Sequence, residues 1–430
     1  MKTCGLKYFS GRLSFLFYFL YLLAPAYAYD GSYNGAYNAR GPDIGVLGER
    51  TTFPHSADDS YNIKAGPIEM KVSAGLRTTY SDNIGLSEFN RMEDVIFSPY
   101  VNLSATWPMT EYNTLRIGLG VAYYKYLMHS QFDSNGPILS QNTNTDTGVD
   151  FTILAGDFRF IIYDHIAYEQ DPLQNGTLSN TVNFGELINT AGVHGNWDLN
   201  DLQLSLGVAQ QNTISTEGSF DYLNRSSQII DGAATFQLGP ATFAGIQAST
   251  ALTAYEQGVQ NNNTRFSVGP FFRTKVTNYL DFDAGAAFEL GEFSRGGSNG
   301  DNSDLSSYSA YAGLHHRLNR HVSHSLTATR FIDLGTISNY VETWRVEHNA
   351  SWTVLNNVSL GTNLFVEFSD ESGGILADSY TRYGGGLSLG YRLTEQTFST
   401  LSYNYIEKES RIPGYSYYQN SVTLDIQYNF

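Results

Sequence analysis

The last ten residues, Ser421 to Phe430 (SVTLDIQYNF), alternate strictly. Val422, Leu424, Ile426, Tyr428 and Phe430 take every second place, and Thr423, Asp425, Gln427 and Asn429 fill the gaps. Extended backbone sends successive side chains to opposite faces, so this segment has one wholly apolar face and one wholly polar face. In a water-soluble sheet the pattern means core on one side and solvent on the other. In a membrane barrel it means lipid outside and a wet lumen inside. How far the alternation extends decides between them.

It extends, with lapses, back to Ile68. Ile68, Met70, Val72, Ala74 and Leu76 share one face, opposite Glu69, Lys71, Ser73 and Arg77. Val101, Leu103, Ala105 and Trp107 follow, then a turn at Pro108-Met109-Thr110-Glu111, then Leu115, Ile117, Leu119 and Val121. Further strands are expected near 148–156, 158–168, 188–198, 201–211, 227–238, 241–255, 263–275, 279–291, 307–318, 322–332, 341–353, 358–369, 381–393, 397–408 and 418–430. That makes about eighteen, with sixteen or twenty allowed, each near the length a tilted membrane strand needs.

Tight connections (Leu238-Gly239-Pro240, Val276-Thr277-Asn278, Leu318 to His321, Leu355-Asn356-Asn357, Thr394-Glu395-Gln396) alternate with long polar ones (131–147, 170–183, 296–305, 369–378). Bacterial barrels have two such unlike ends, with short periplasmic turns and longer outer loops. Counting back from Phe430 with the C-terminus inside puts every tight turn on the periplasmic side. A soluble propeller would repeat a blade signature, and none recurs here. The reading is an all-β, transmembrane antiparallel up-and-down β-barrel over 68–430.

The N-terminus reads as an export signal. Lys2, Lys7 and Arg12 precede an apolar run, Ser14 to Leu23, and Ala26-Tyr27-Ala28 is a cleavage site, so 1–28 is expected to be removed. The run is too short to span a bilayer as a helix. Cys4, the single cysteine, would leave with it, which excludes disulfides and thiol chemistry. Residues 29–67 are Tyr-, Asn- and Gly-rich and aperiodic, as a flexible segment or a plug would be. The formal charge of −17 argues against nucleic acid, which asks for a basic footprint.

On the polar face, charges of both signs alternate with apolar neighbours. Lys71, Arg77, Arg116, Arg159, Arg273, Arg317, Arg345, Arg382 and Arg392 are expected inward, as are Asp281, Asp283, Glu289, Glu347, Glu367 and Asp425. An Arg or Lys facing lipid at mid-membrane would cost about 2–4 kcal/mol, whereas a hydrated lumen takes it at little cost. Balanced wall charge argues against strong ion selectivity, and acidic loops such as Asp301 to Asp304 would favour cations. Tyr123, Tyr124, Tyr126, Tyr163, Tyr168, Tyr403, Tyr405, Tyr417 and Tyr418 suit interfacial girdles, a sugar-stacking track being the sharper alternative.

Two clusters could suggest chemistry. His315, His316, His321 and His324 border a turn, and strand neighbours 315 and 316 point apart, so interfacial histidines explain them better than a metal site. Asp164-His165 likewise point apart, which is unsuited to a shared water-activating position. No catalytic residue, metal or cofactor is expected.

The chain resembles the β-barrel porin-2 type of outer-membrane protein. The likeness is carried by Thr79-Tyr80-Ser81-Asp82-Asn83-Ile84, by Gly156-Asp157-Phe158-Arg159 through Tyr168-Glu169-Gln170-Asp171-Pro172, and by the terminal Phe430. The last strand also resembles the closing strands of Gram-negative barrels, in which Val422, Leu424, Ile426, Tyr428 and Phe430 would be read by the barrel-assembly machinery. The resemblance implies an outer-membrane channel, with periplasmic chaperones, outer-membrane lipid, and small solutes or oligosaccharides as partners. A polysaccharide-export barrel and a closed structural or adhesive barrel are the alternatives.

Overall fold

The structure, a computed structural model, describes residues 61–430 apart from 141–144. The expected signal sequence, Cys4 and the stretch 29–60 lie outside the described residues. In chain order the strands are β1 (Ile63–Ala65), β2 (Ile68–Ser81), β3 (Asp94–Pro108), β4 (Asn113–Ala122), β5 (Lys125–Tyr126), β6 (Ile138–Leu139) and β7 (Thr147–Ala155). There follow β8 (Phe158–Glu169), β9 (Glu186–Asp198), β10 (Leu202–Ser215), β11 (Arg225–Gly239), β12 (Thr242–Tyr255), β13 (Asn263–Thr277) and β14 (Leu280–Phe293). The last are β15 (Leu305–Asn319), β16 (Val322–Leu334), β17 (Tyr340–Leu355), β18 (Val358–Glu371), β19 (Ser379–Arg392), β20 (Thr397–Ser410) and β21 (Tyr417–Asn429).

Eighteen of these form the wall, and β1, β5 and β6 are short additions. Each wall strand pairs antiparallel with the next, and β21 closes on β2 from Ser73–Asn429 to Ser81–Ser421. A closed sheet leaves no edge, which is what lets strands live in hydrocarbon at all. The segment 61–67, grouped by sequence with the aperiodic stretch, turns at Gly66 (φ +61°) and pairs Ile63 to Ala65 back onto β2.

The alternation fixes which face is which. In β21, Val422, Leu424, Ile426, Tyr428 and Phe430 are 41–52% exposed on the outer face. Thr423, Asp425, Gln427 and Asn429 line the interior cavity. A compact core is absent from the barrel because its apolar side chains point at lipid. Apolar clusters are small: one forms where loops fold inward, at Ile84, Tyr100, Ala122, Tyr124, Tyr126 and Ile138, and others sit on the wall strands, as with Ala209, Ile229 and Ala251. Stacked Phe158 and Trp197, with ring centroids 5.1 Å apart, mark the periplasmic rim of the outer face.

Candidate functional site

The central cavity measures about 1330 Å3, and wall and loops line it together. Two loops shape it. Residues 123–140 fold back on the wall, with β5 pairing to β3 and β6 to β4 and β8. Asp94 at the top of β3, fully buried, accepts from the backbone N–H groups of Leu127, Met128 and His129 at 2.9–3.0 Å. Such a cage of donors satisfies both carboxylate oxygens and pins the loop inside the mouth.

Residues 170–185 form a strap across the bore. The loop leaves the wall between β8 and β9, and its tip is held by β19, β20 and the loops beside them, nearly opposite in the strand order. Arg382 Nη2 donates to Leu173 O at 3.0 Å, and Lys408 Nζ to Thr177 O at 3.0 Å and Ser179 Oγ at 3.2 Å. Ser179 Oγ donates to Tyr415 O, and Asn180 Nδ2 to Gly414 O. The Thr177 and Thr336 hydroxyls lie 2.9 Å apart. Asp171 caps the short turn Pro172–Gln174 by accepting from Leu173 N–H. Burial pushes the Asp171 carboxyl up, against the pull of that N–H and of Arg382. Leu178, beside the latched tip, and Phe184, at the root, both pack onto Leu223.

The wall facing the strap carries a row of charges set by register. Arg345, Glu367, Arg382 and Lys408 are successive cross-strand partners on β17, β18, β19 and β20. Glu367 bridges the two arginines, with Arg345 Nη1 at 2.5 Å and Arg382 Nη1 at 3.2 Å, and Arg345 also pairs with Glu347 at 2.7 Å. Around the lumen Arg77 pairs with Asp425 at 2.8 Å, and Tyr100 Oη donates to the same carboxylate at 2.7 Å. His165 meets Asp150 at 2.9 Å, and Arg225 meets Glu186 at 3.5 Å. Balancing ion pairs in a wet lumen cost little, whereas one left without its partner is expensive.

Of the residues expected inward, Lys71, Arg77, Arg116, Arg345, Glu347, Glu367, Arg382 and Asp425 line the cavity. Arg273 and Asp283 face each other across β13 and β14 near the periplasmic turns, with Asp281 on the same face. His315 Nε2 lies 3.2 Å from Asp283. Arg317 pairs in register with Ser323, and Arg392 lies over Phe398 with 5.0 Å to the ring centre. Glu289 is 2% exposed, and Arg159 pairs in register with Asn196.

Two expectations change, and the opposed facing of His315 and His316 does not. Tyr124, Tyr126, Tyr163 and Tyr417, assigned to girdles, are inside. The first two belong to the inward-folded loop, and Tyr417 is buried beside Arg382. Tyr163 sits in register with Gly192, whose Cβ would collide with the ring. Tyr100 over Gly75, Phe271 over Gly245, Tyr311 over Gly285 and Phe365 over Gly384 repeat that cross-strand arrangement. Lumen-facing rings thus lie flat on the wall and leave the bore free. His316, on the outer face, meets His324 (Nδ1 to Nε2, 3.0 Å) beside His348, whereas His315 points inward. Finally, Asp301 is not free surface charge but 2% exposed.

Asp301 is the hub of a knot among the outer loops. Its carboxylate accepts from Ser372 Oγ (2.6 Å), Asn339 N (2.8 Å) and Ser303 N (2.8 Å), and its carbonyl accepts from Asn261 Nδ2 (2.8 Å). Burial alone would raise this carboxyl, but the bonds from Ser372, Asn339 and Ser303 hold it below the usual carboxylate range. A carboxylate depressed in the folded state contributes its stabilisation above the unfolded pKa and loses it as pH falls through the folded value. The knot is therefore expected to stay closed at neutral pH and loosen below about pH 4, measured as faster proteolysis within 294–304. Asp301→Asn should bring that susceptibility to neutral pH. Unchanged cleavage in the variant would refute the assignment.

The closed eighteen-strand wall, with an apolar outer face and a charged cavity inside, defines an antiparallel up-and-down β-barrel of the transmembrane type. No family model and no curated protein matches the sequence. The solved structures it is similar to include the outer membrane protein OpdK of Pseudomonas aeruginosa, at 9% identity and TM-score 0.48, covering 84% of this chain and 99% of that one. OccAB3 of Acinetobacter baumannii (11%, TM-score 0.48, 84% and 99%) and OpdQ of P. aeruginosa (11%, TM-score 0.47, 86% and 100%) are others.

Proposed function

We propose that this chain is a porin-like channel through which small polar solutes cross the outer membrane by passive diffusion. The observation that carries the reading is a polar cavity bounded by balanced ion pairs and narrowed by a strap latched at Arg382 and Lys408. Eighteen strands make a cylinder too wide for wall side chains to fill, so its bore is set by what folds into it. A polysaccharide exporter would ask for an unobstructed bore, and the strap stands across this one. In this reading residues 1–28 are a cleaved signal, chaperones carry the chain across the periplasm, and the barrel-assembly machinery reads the Phe430 strand.

Single-channel recording of the refolded protein in planar bilayers tests the proposal. Discrete, weakly selective steps are expected, and a silent barrel in repeated insertions would sink it. Glu367→Gln tests the charge row. The change leaves Arg345 and Arg382 facing the bore with one negative charge fewer, so the reversal potential in a salt gradient should move towards anions. An unmoved potential would place the selectivity elsewhere.

A further inference from the structure

The wall parts at one place on its extracellular half. The ladder between β15 and β16 runs from Asn319–Val322 up to Ala310–Arg330 and stops. Yet β15 continues to Leu305 and β16 to Leu334. Leu305 to Ser309 stay paired with β14, and Phe331 to Leu334 stay paired with β17. The two strands therefore diverge as a wedge. At the upper end of β4, where it also leaves β7, β6 takes up the pairing. Among the described residues no strand fills the β15–β16 gap.

An exposed strand edge is not tolerated in hydrocarbon, so something must serve these backbone groups. Two side chains do. Arg330 donates to Tyr308 O and, at 3.0 Å, to Ser307 Oγ, and pairs with Glu342 at 2.6 Å. Arg265 reaches Ile332 O at 3.4 Å from β13. Between these points the wedge is apolar: Phe293, Leu305 and Ile332 are buried together. Its inner side meets the cavity at Phe331. On its outer side Arg330 lies against Tyr308 and Trp344, at 4.2 and 6.0 Å from the ring centres, and these rings are 47% and 44% exposed.

We propose that this wedge is a lateral portal between the lumen and the outer leaflet, taking a single-chain anionic amphiphile. Its tail would pass along Phe293, Leu305 and Ile332 while its headgroup replaces Glu342 on Arg330. The chemistry follows from the lining, which offers one cation framed by aromatic rings beside a packed apolar cluster that no polar solute needs. Arg330 is then the latch, holding both strands through side-chain bonds that can exchange where a ladder could not. The proposal rests on the channel reading, since a portal needs a lumen to open into.

The test keeps the two apart. Phe331→p-benzoylphenylalanine is reconstituted in bilayers containing an alkyne-tagged long-chain fatty acid, illuminated, and the adduct is read by mass spectrometry. Thr329 in the lumen just below the wedge and Val422 on the lipid face carry the same probe as controls. A second version adds Ser307→Cys and Asp333→Cys in a Cys4→Ser background, oxidised to staple the wedge. Adduct at 331 well above that at 329, lost on stapling while 422 still labels and the ionic current persists, is the expected result. Adduct at 331 no greater than at 329, with current intact, overturns the portal and leaves the channel. Absence of current in the unsubstituted protein overturns the channel and the portal with it. Should the 331 probe prevent folding, position 333 with a Ser306→Cys, Leu334→Cys staple reads the same quantity.

Discussion

Deleting residues 173–180 is expected to raise single-channel conductance severalfold without unfolding the barrel. The deleted stretch holds the acceptors of both latching cations, Leu173 O for Arg382 and Thr177 O with Ser179 Oγ for Lys408. Hydrogen bonds to a charged donor contribute about 1.5–3 kcal/mol each. Fixing one residue of backbone costs about 1–2 kcal/mol, so three such bonds alone could not order an eight-residue tip. The apolar packing of Leu178 and Phe184 on Leu223 must hold the rest. Removing the tip therefore releases the strap rather than letting it re-latch. The wall is indifferent, because its strands are tied by their own ladders, and Lys408, now 1% exposed, would open to water and not be stranded. Lys408→Met is the milder companion: with one latch gone and the apolar root intact, the current should flicker between two levels. Conductance unchanged by the deletion would mean that the narrowest point lies elsewhere.

The sequence reads well where one rule acts on every residue and poorly where the chain turns back on itself. Lipid imposes a period of two on each strand, so an approximate strand number and the facing of Lys71, Arg77, Arg345, Glu367, Arg382 and Asp425 follow from alternation, and the turn sides from connection length. Lys408 obeys the same rule. It escaped because Glu407 and Glu409 flank it on the outer face, making Glu407-Lys408-Glu409 look like a solvated strand end. The strap is another matter. Its placement depends on contacts between residues more than two hundred positions apart, such as Ser179 with Tyr415, which no local pattern encodes. One signal was present: Leu173, Leu178, Val182 and Phe184 are apolar side chains in a loop otherwise rich in polar residues, and a loop bathed in water has no use for them. Tyr163 and Tyr100 were legible only as pairs with glycines on the neighbouring strand, which requires knowing the register.

The largest stability effect should come from moving a charge by a single residue. Leu424 faces lipid near the middle of β21 and is 42% exposed on the outer face, whereas Thr423 faces the cavity. Leu424→Arg places a guanidinium in hydrocarbon, at a cost of about 2–4 kcal/mol. Snorkelling eases this only near an interface, and Leu424 has Val422 and Ile426 on either side of it on the same face. Thr423→Arg instead gives up the hydrogen bond with Thr79, 2.9 Å long, worth about 1 kcal/mol, and gains water around the new charge. Arg77 with Asp425 close by already shows that this face holds ions. In urea titrations of refolding into phospholipid, Leu424→Arg should lower the midpoint well beyond Thr423→Arg, and the order should reverse for current block, since only the inward arginine enters the bore. Equal destabilisation by the two would mean that lipid does not surround this strand, and an outward apolar face would then have to be covered by protein.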